Sequence, residues 1–297
     1  MTGRGDAPSK LTRRQALAGL AAAAWPPPAR AGAPARIVSL DWALTAALLA
    51  LGATPAGVAE PDGYRHWVAE PALPAAARDV GLRLEPNLEL LAALRPDLVL
   101  VNPMHEGIRP LLERIGPVLA YNLYTEEGRP LERARAMNAD LGLRLGREAE
   151  AEAVLARAEA AFEGAARRLA GRAGRGLIVA GVVDPRHVNV YGRGSLFGDV
   201  LARLGLANAW ARPVNDWGVA VAAVEELADY PDAVLVLVEP VPPAAERALT
   251  RPGLWAGLVA ARRAELVRLP AAWPFGEVTA ATRFAEALAA RLGADAP

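Results

Sequence analysis

The sequence predicts an α/β protein made of two similar lobes, and three observations carry that expectation. Short β-type runs alternate with helical runs, one long amphipathic helix interrupts the alternation near the middle, and a pair of segments recurs in the same order on either side. Strands are expected at 36–40, 56–59, 98–101 and 117–121 in the first half, and at 177–183, 187–191, 233–237 and 266–269 in the second. These are short apolar runs bounded by turn residues, the pattern of strands buried in largely parallel sheets. The dividing helix is expected at 147–170, where Val154, Leu155, Ala158, Phe162, Ala165 and Leu169 fall at 3–4 spacing and form one apolar stripe. At about 1.5 Å per residue, roughly 24 residues reach about 36 Å, enough to run from one lobe to the other. Gly171 to Gly176 then stops the helix and turns the chain. In the repeat, Ala47 to Ala56 and Asp199 to Asn208 both read as helix, glycine turn, strand. Leu88 to Leu100 and Glu225 to Leu235 both read as a helical run, a Pro-Asp turn and a strand. The expected division is therefore 1–31, 32–146, 147–170 and 171–297.

The first of those segments reads as an export signal. Arg13-Arg14 precedes the apolar run Ala16 to Trp25, and small residues follow at Ala29, Ala31 and Ala33. This is the order of a cleavable signal, with the arginine pair pointing to the twin-arginine route and a periplasmic destination. The run is about ten residues, short of the roughly 20 that span a bilayer. The 297 residues carry 33 basic and 33 acidic side chains; loss of 1–31 removes Arg4, Lys10, Arg13, Arg14, Arg30 and Asp6, leaving 28 and 32. An acidic mature chain does not offer the basic excess of a phosphate-binding surface, so no nucleic-acid partner is expected. With no cysteine, the chain excludes disulfides, thiolate metal sites and a cysteine nucleophile.

No dinucleotide fingerprint, phosphate loop, nucleophile elbow or zinc-protease helix is present, and Gly192-Arg193-Gly194-Ser195 has the wrong glycine spacing for a phosphate cradle. His66, His105 and His187 show no metal spacing. A binding protein is expected rather than an enzyme. Seven of the 16 aromatic residues are Trp. Trp42, Trp67, Trp217 and Trp273 stand in non-repetitive segments, two from each half, and fit an aromatic cleft for a bulky ligand. Arg83 is the expected donor into that cleft; as an ordinary surface residue it would pair with Glu85.

Several segments in one order carry a family resemblance: Gly63 to Pro71, Asp79 to Leu91, Val183-Asp184-Pro185-Arg186-His187, Ser195-Leu196-Phe197, Asn208-Ala209-Trp210 and Asn215-Asp216-Trp217-Gly218. Across nearly the whole mature chain, the sequence resembles the periplasmic hydroxamate-siderophore binding proteins, the ferrichrome-type receptors of iron-uptake ATP-binding-cassette importers. The resemblance implies two Rossmann-like lobes joined by a rigid helix, with a shallow cleft between them. The cargo it implies is an iron(III) chelate bound whole, with no resident cofactor and no direct protein ligand to the metal. At the matching positions Arg83 would donate hydrogen bonds to hydroxamate oxygens. Trp42, Trp67, Trp217, Trp273 and Phe275 would supply apolar contact, and Asn215 a polar one.

The departures are His105 where the family has a tyrosine, Asn189 where it has an apolar pocket residue, and Val219 where it has a small hydroxylated one. His105 is thus expected against the ligand, with contact to an incompletely saturated metal open to it. These changes point away from ferrichrome, toward another hydroxamate or mixed-ligand siderophore. The resemblance also implies docking on an inner-membrane permease, with its ATPase, through Glu89 on one lobe and Glu225 or Glu226 on the other, and a monomeric chain is expected. Haem, a cobalamin or a catecholate siderophore as cargo, and a siderophore-processing enzyme, remain the alternative readings.

Overall fold

Successive strand residues point to opposite faces of a sheet, and here the two faces enter different cores. The structure, a computed structural model, describes residues 34–172, 174–261 and 265–293. The expected signal segment, 1–31, lies outside the described residues. The first sheet is built from β1 (Ile37–Ser39), α1 (Trp42–Ala50), β2 (Gly57–Val58), α2 (Pro61–Trp67), β3 (Arg78–Asp79), α3 (Leu88–Leu94), β4 (Leu98–Val101), α4 (Arg109–Leu112) and β5 (Val118–Ala120). Its five strands are all parallel, in the order β3-β2-β1-β4-β5. Two helices follow, α5 (Pro130–Leu145) and α6 (Glu148–Leu169).

The second sheet comes from β6 (Gly176–Val182), β7 (His187–Tyr191), α7 (Leu196–Arg203), β8 (Ala207–Asn208), β9 (Val219–Ala223), β10 (Val234–Val238), α8 (Pro243–Thr250), α9 (Leu254–Ala261), β11 (Leu266–Leu269) and α10 (Val278–Leu292). Its order is β11-β10-β6-β7-β9, with β8 on the first residues of β6. The sheets are largely parallel, as expected, and the one exception is β7, which runs antiparallel to both of its neighbours, β6 and β9. The cause is local: between β6 and β7 the Asp184 carboxylate accepts from the backbone N–H groups of Arg186 and His187, closing a hairpin, and a tight hairpin can join only antiparallel strands.

The repeat seen in the sequence corresponds to matching wiring. After α1 and after α7 the chain turns at Gly52 and Gly205, with φ of 71° and 72°, the left-handed conformation glycine adopts at low cost. The strands that follow, β2 and β8, lie parallel to β1 and β6. The second pair of segments leads into β4 and β10, which are also parallel to β1 and β6.

In β4, Leu98 and Leu100 face one core and Val99 and Val101 another; in β10, Val234, Val236 and Val238 face the same core as Leu98 and Leu100. This shared core is a layer of helices, with Leu44 and Leu48 of α1, Met137 and Leu141 of α5, Val154 and Phe162 of α6, Phe197 of α7 and Phe284 of α10. The long helix does not run alone: α5, unanticipated from sequence, and α10 pack against it. Polar ties reinforce the layer. Arg283 of α10 donates to the Val68 carbonyl at 2.7 Å, and Asn138 of α5 donates to Glu277 at 2.9 Å. No helix of the described residues is long and apolar enough to cross a membrane.

Candidate ligand-binding site

In a parallel sheet, the crevice outside the carboxyl ends of the strands is where loops bring distant residues together. Here β1 delivers Asp41 and Trp42, β2 delivers Glu60, β3 leads to Arg83, β4 leads to Asn102 and His105, and β5 leads to Tyr124. From the second sheet, β11 delivers Trp273 and Phe275, and the turn before β9 delivers Trp217.

Six rings from these segments form one chain. Trp67 meets Trp273 at 6.2 Å between ring centroids, Trp42 meets Trp273 at 5.0 Å, and Trp273 meets Phe275 at 5.4 Å. Phe275 in turn meets Trp217 at 5.1 Å, and Trp217 stacks on Tyr124 at 5.5 Å with the planes 8° apart. Most of these pairs are edge-to-face, the arrangement aromatic quadrupoles favour. The structure therefore brings together all five aromatic residues named from sequence and adds Tyr124. Trp42 is nevertheless a core residue, 3% exposed, with its indole N–H on the Ala59 carbonyl at 3.0 Å. It lies beneath the site, and Gly63 makes room for it, since a Cβ there would overlap the indole. Trp67, at 36% exposed, is the open end of the chain.

Arg83 lies on this chain, its guanidinium carbon 3.8 Å from the Trp42 ring centroid and 5.8 Å from that of Trp273. Its ion-pair partner is Glu60, with Nε 3.1 Å from Oε2, and not Glu85. The backbone N–H of Arg83 donates to the same carboxylate at 3.1 Å. Among the described residues nothing hydrogen-bonds to the two terminal nitrogens of Arg83, whose side chain is 34% exposed. The Glu60 pair and the Trp42 face thus hold the fork while its outer donors stay available. Leu82 and Leu84 beside it are 55% and 53% exposed, an apolar rim that sequence reasoning missed.

His105 corrects an expectation. It is 2% exposed and does not line the cavity described below. Its Nε2 lies 2.7 Å from the Arg83 carbonyl oxygen. A carbonyl only accepts, so this nitrogen donates, while Nδ1 lies 2.9 Å from the Asn102 side-chain oxygen and 3.3 Å from the Asn102 backbone nitrogen, at the start of the 3₁₀ turn Pro103–Ile108. Nε2 thus holds the segment that carries Arg83 and Nδ1 the turn that begins at Asn102, so both ring nitrogens of His105 are engaged within the protein. Among the described residues no cluster of three His, Asp or Glu side chains forms a metal site.

At the other end of the ring chain lies a cavity of about 590 Å³ counting its open mouth, lined by Asp41, Asn102, Met104, Tyr121, Asn122, Tyr124, Trp217 and Phe275 among others. Asp41 caps α1 by accepting from the Leu44 N–H at 2.9 Å, and accepts from the Asn102 side-chain amide at 2.8 Å. Burial raises its pKa against the lowering effect of these bonds and of the His105 and Arg83 charges. Burial likewise holds the Tyr124 hydroxyl well above its ordinary pKa. It donates to the Gly276 carbonyl at 3.0 Å, tying the first lobe's loop to the second.

The remaining sequence candidates lie elsewhere. Asn215 is exposed, and its side-chain oxygen accepts from the N–H groups of Trp217 and Val219, each at 3.0 Å, shaping the turn that presents Trp217. Asn189 is partly buried in β7 between Gly181 and Val221 and does not line the cavity. Val219, 7% exposed, belongs to the shared core. Glu89 and Glu225 are exposed, and Glu225 pairs with Arg186 at 3.4 Å. Glu226 is occupied by the Ala223 N–H and by Arg212.

The profile of the periplasmic binding protein family matches residues 37–272. The iron(3+)-hydroxamate-binding protein FhuD of Escherichia coli (strain K12) is 35% identical over 263 residues, covering 89% of this chain and 88% of its own. Among solved structures, the Fe3+-Desferal-bound siderophore binding protein FhuD from Vibrio cholerae superposes with a TM-score of 0.81 at 28% identity, covering 88% of this chain and 99% of that one. The siderophore periplasmic binding protein from the fuscachelin gene cluster of Thermobifida fusca gives a TM-score of 0.65 at 26% identity, over 87% and 97% of the two chains.

Proposed function

The chain belongs to the periplasmic binding protein family, and from that premise we propose that it captures an iron(III)-hydroxamate siderophore outside the cytoplasm and hands it to the permease of an ATP-driven importer. The observation that carries the reading is Arg83, held by Glu60 and Trp42, its two terminal nitrogens without a hydrogen-bond partner among the described residues, on an unbroken path of aromatic rings. A ferric hydroxamate presents a compact set of negatively polarised oxygens inside an organic shell. A fork of fixed charge suits the oxygens, and ring faces suit the shell. Iron is already enclosed by its chelator, so the protein needs no metal ligands of its own. The E. coli relative, named for iron(3+)-hydroxamate binding, and the Vibrio cholerae structure with Fe3+-Desferal support the same cargo class.

Twin-arginine export and docking through Glu89 and Glu225 belong to the same proposal; Glu226, held by Arg212, is the weaker docking choice. Calorimetric titration tests the cargo class. A ferric trihydroxamate should bind saturably at one site, and the iron-free chelator and a ferric catecholate should bind far more weakly. Preference for the catecholate would overturn the hydroxamate reading. Reversing the charges of Glu89 and Glu225 together should abolish uptake and leave affinity unchanged.

A further inference from the structure

A carboxylate lines the cavity, and among the described residues no cation is paired with it directly. Asp41 lines the space together with Asn122, Tyr124, Trp217 and Phe275. Its oxygens accept two hydrogen bonds, from the Leu44 N–H and the Asn102 amide, whereas an ionised carboxylate has about four acceptor positions. Among the described residues, no arginine or histidine nitrogen forms an ion pair with it; Arg83 and His105 act on it only at longer range. The cap does not require a charge, because Asn or Ser at that position caps a helix as well as Asp. The acid therefore costs desolvation that its structural role does not repay.

What surrounds the carboxylate is suited to a cation. Tyr124 and Trp217 stack in parallel, and Phe275 meets both edge-on, so electron-rich ring faces border the same space. Asn122 is exposed and lines the same space, and its side chain makes no hydrogen bond among the described residues. An ammonium brings three donors and no acceptor, which matches a carboxylate, an amide oxygen and a ring face. Metal cations are poorly matched, since among the described residues no cluster of three acid or histidine side chains gathers here.

We propose that Asp41 makes this cavity a subsite for a protonated amine, so that the favoured cargo is a ferric hydroxamate whose chain ends in an alkylammonium group. The proposal rests on the hydroxamate reading above and narrows it. Arg83 would hold the negatively polarised iron-binding end while Asp41 takes the positive arm. Burial already biases Asp41 toward its neutral form, and an arriving cation would restore the charged one.

The test uses the iron(III) complexes of a linear trihydroxamate ending in a primary amine and of its N-acetylated form, titrated into the purified protein and into Asp41→Ser. The wild-type protein should bind the amine complex about tenfold more tightly or better, the worth of one charge-assisted contact. Asp41→Ser should bring the two affinities together while leaving the acetylated complex within about twofold of wild type. Asp41→Asn, which also keeps the cap, serves if the Ser variant melts early. Equal affinities in the wild-type protein, or a preference that survives in the Asp41 variants, would overturn the subsite and leave the hydroxamate reading standing. Failure of both complexes to bind would overturn that reading, and the subsite with it.

Discussion

The two ends of the aromatic chain differ in how their charges are held. At the Arg83 end, Glu60 neutralises the guanidinium, Trp42 supports its face, and His105 fixes the backbone carbonyl of the same residue. At the Tyr124 end, Asp41 is hydrogen-bonded but forms no ion pair among the described residues, and it borders open space. One end is a braced donor, ready for oxygens at little reorganisation cost. The other end keeps an electrostatic demand for its visitor to meet. A receptor that recognises a chelate through both ends reads the metal core at one and the periphery at the other.

The comparison can be broken at several points. The largest effect is expected from Arg83→Ala, which should weaken ferric hydroxamate affinity roughly ten- to hundredfold, the range for hydrogen bonds to a charged group, with the melting temperature nearly unchanged. Titration beside a thermal melt checks both, and unaltered affinity would remove Arg83 from the site. Next is His105→Phe. It leaves the Arg83 carbonyl without its donor, an expected loss of about 1–3 kcal/mol in urea unfolding, with His105→Gln recovering part of it. A stable variant that no longer binds would instead return His105 to the ligand.

Trp217→Ala opens the Tyr124 stack and should cost about 0.5–1.5 kcal/mol of binding beyond lost contact area, read as a several-fold weaker affinity and a smaller fluorescence change.

The smallest effect should come from Glu277→Gln. Like Asp41, Glu277 has its pKa raised by burial, but it is fully enclosed, capping α10 through Thr279 and accepting from Asn138. The native state holds this proton at a pH where the unfolded chain has released it. Its stabilisation is complete below the unfolded value near 4.5 and is lost as pH rises through the raised native value. Gln carries no charge at any pH, so the variant should be at least as stable as wild type at pH 7 and show a flatter stability profile across the acid range. Urea midpoints between pH 4 and 8 on both proteins test this, and a steeper profile in the variant would contradict it.

Much of the architecture was legible because strands announce themselves as apolar runs. All eight anticipated runs overlap a strand. The missed β3 has two residues and too little pattern to read, β8, equally short, was legible only through the repeat, and the missed β9 follows directly on the Trp217 turn. Helix α5 was legible in principle: Pro130 opens it, Gly146 closes it, and Leu131, Ala134, Met137, Leu141 and Leu145 keep helical spacing. For the site, the family pattern located the rings and Arg83, yet no local signal tells that Trp42 is buried while Trp67 is open. Tyr124 meets Trp217 across 93 positions of chain, a pairing made by the shared helical layer rather than by any motif. The substitution at His105 read as altered ligand chemistry because sequence shows the side chain without its partners. Its hydrogen bond to the Arg83 carbonyl turns it inward instead. Asp41 drew no notice because an acid before a helix reads as a cap, which it also is.

The central claim is that one cleft holds a ferric hydroxamate with Arg83 on its oxygens and the ring chain around its shell. The most direct measurement is a crystal structure of the protein with a bound iron(III) trihydroxamate. The account predicts hydroxamate oxygens within hydrogen-bond distance of the terminal nitrogens of Arg83, Trp217, Trp273 and Phe275 against the organic shell, and His105 still turned to the Arg83 carbonyl. A chelate seated away from Arg83, or iron ligated by His105, would contradict it.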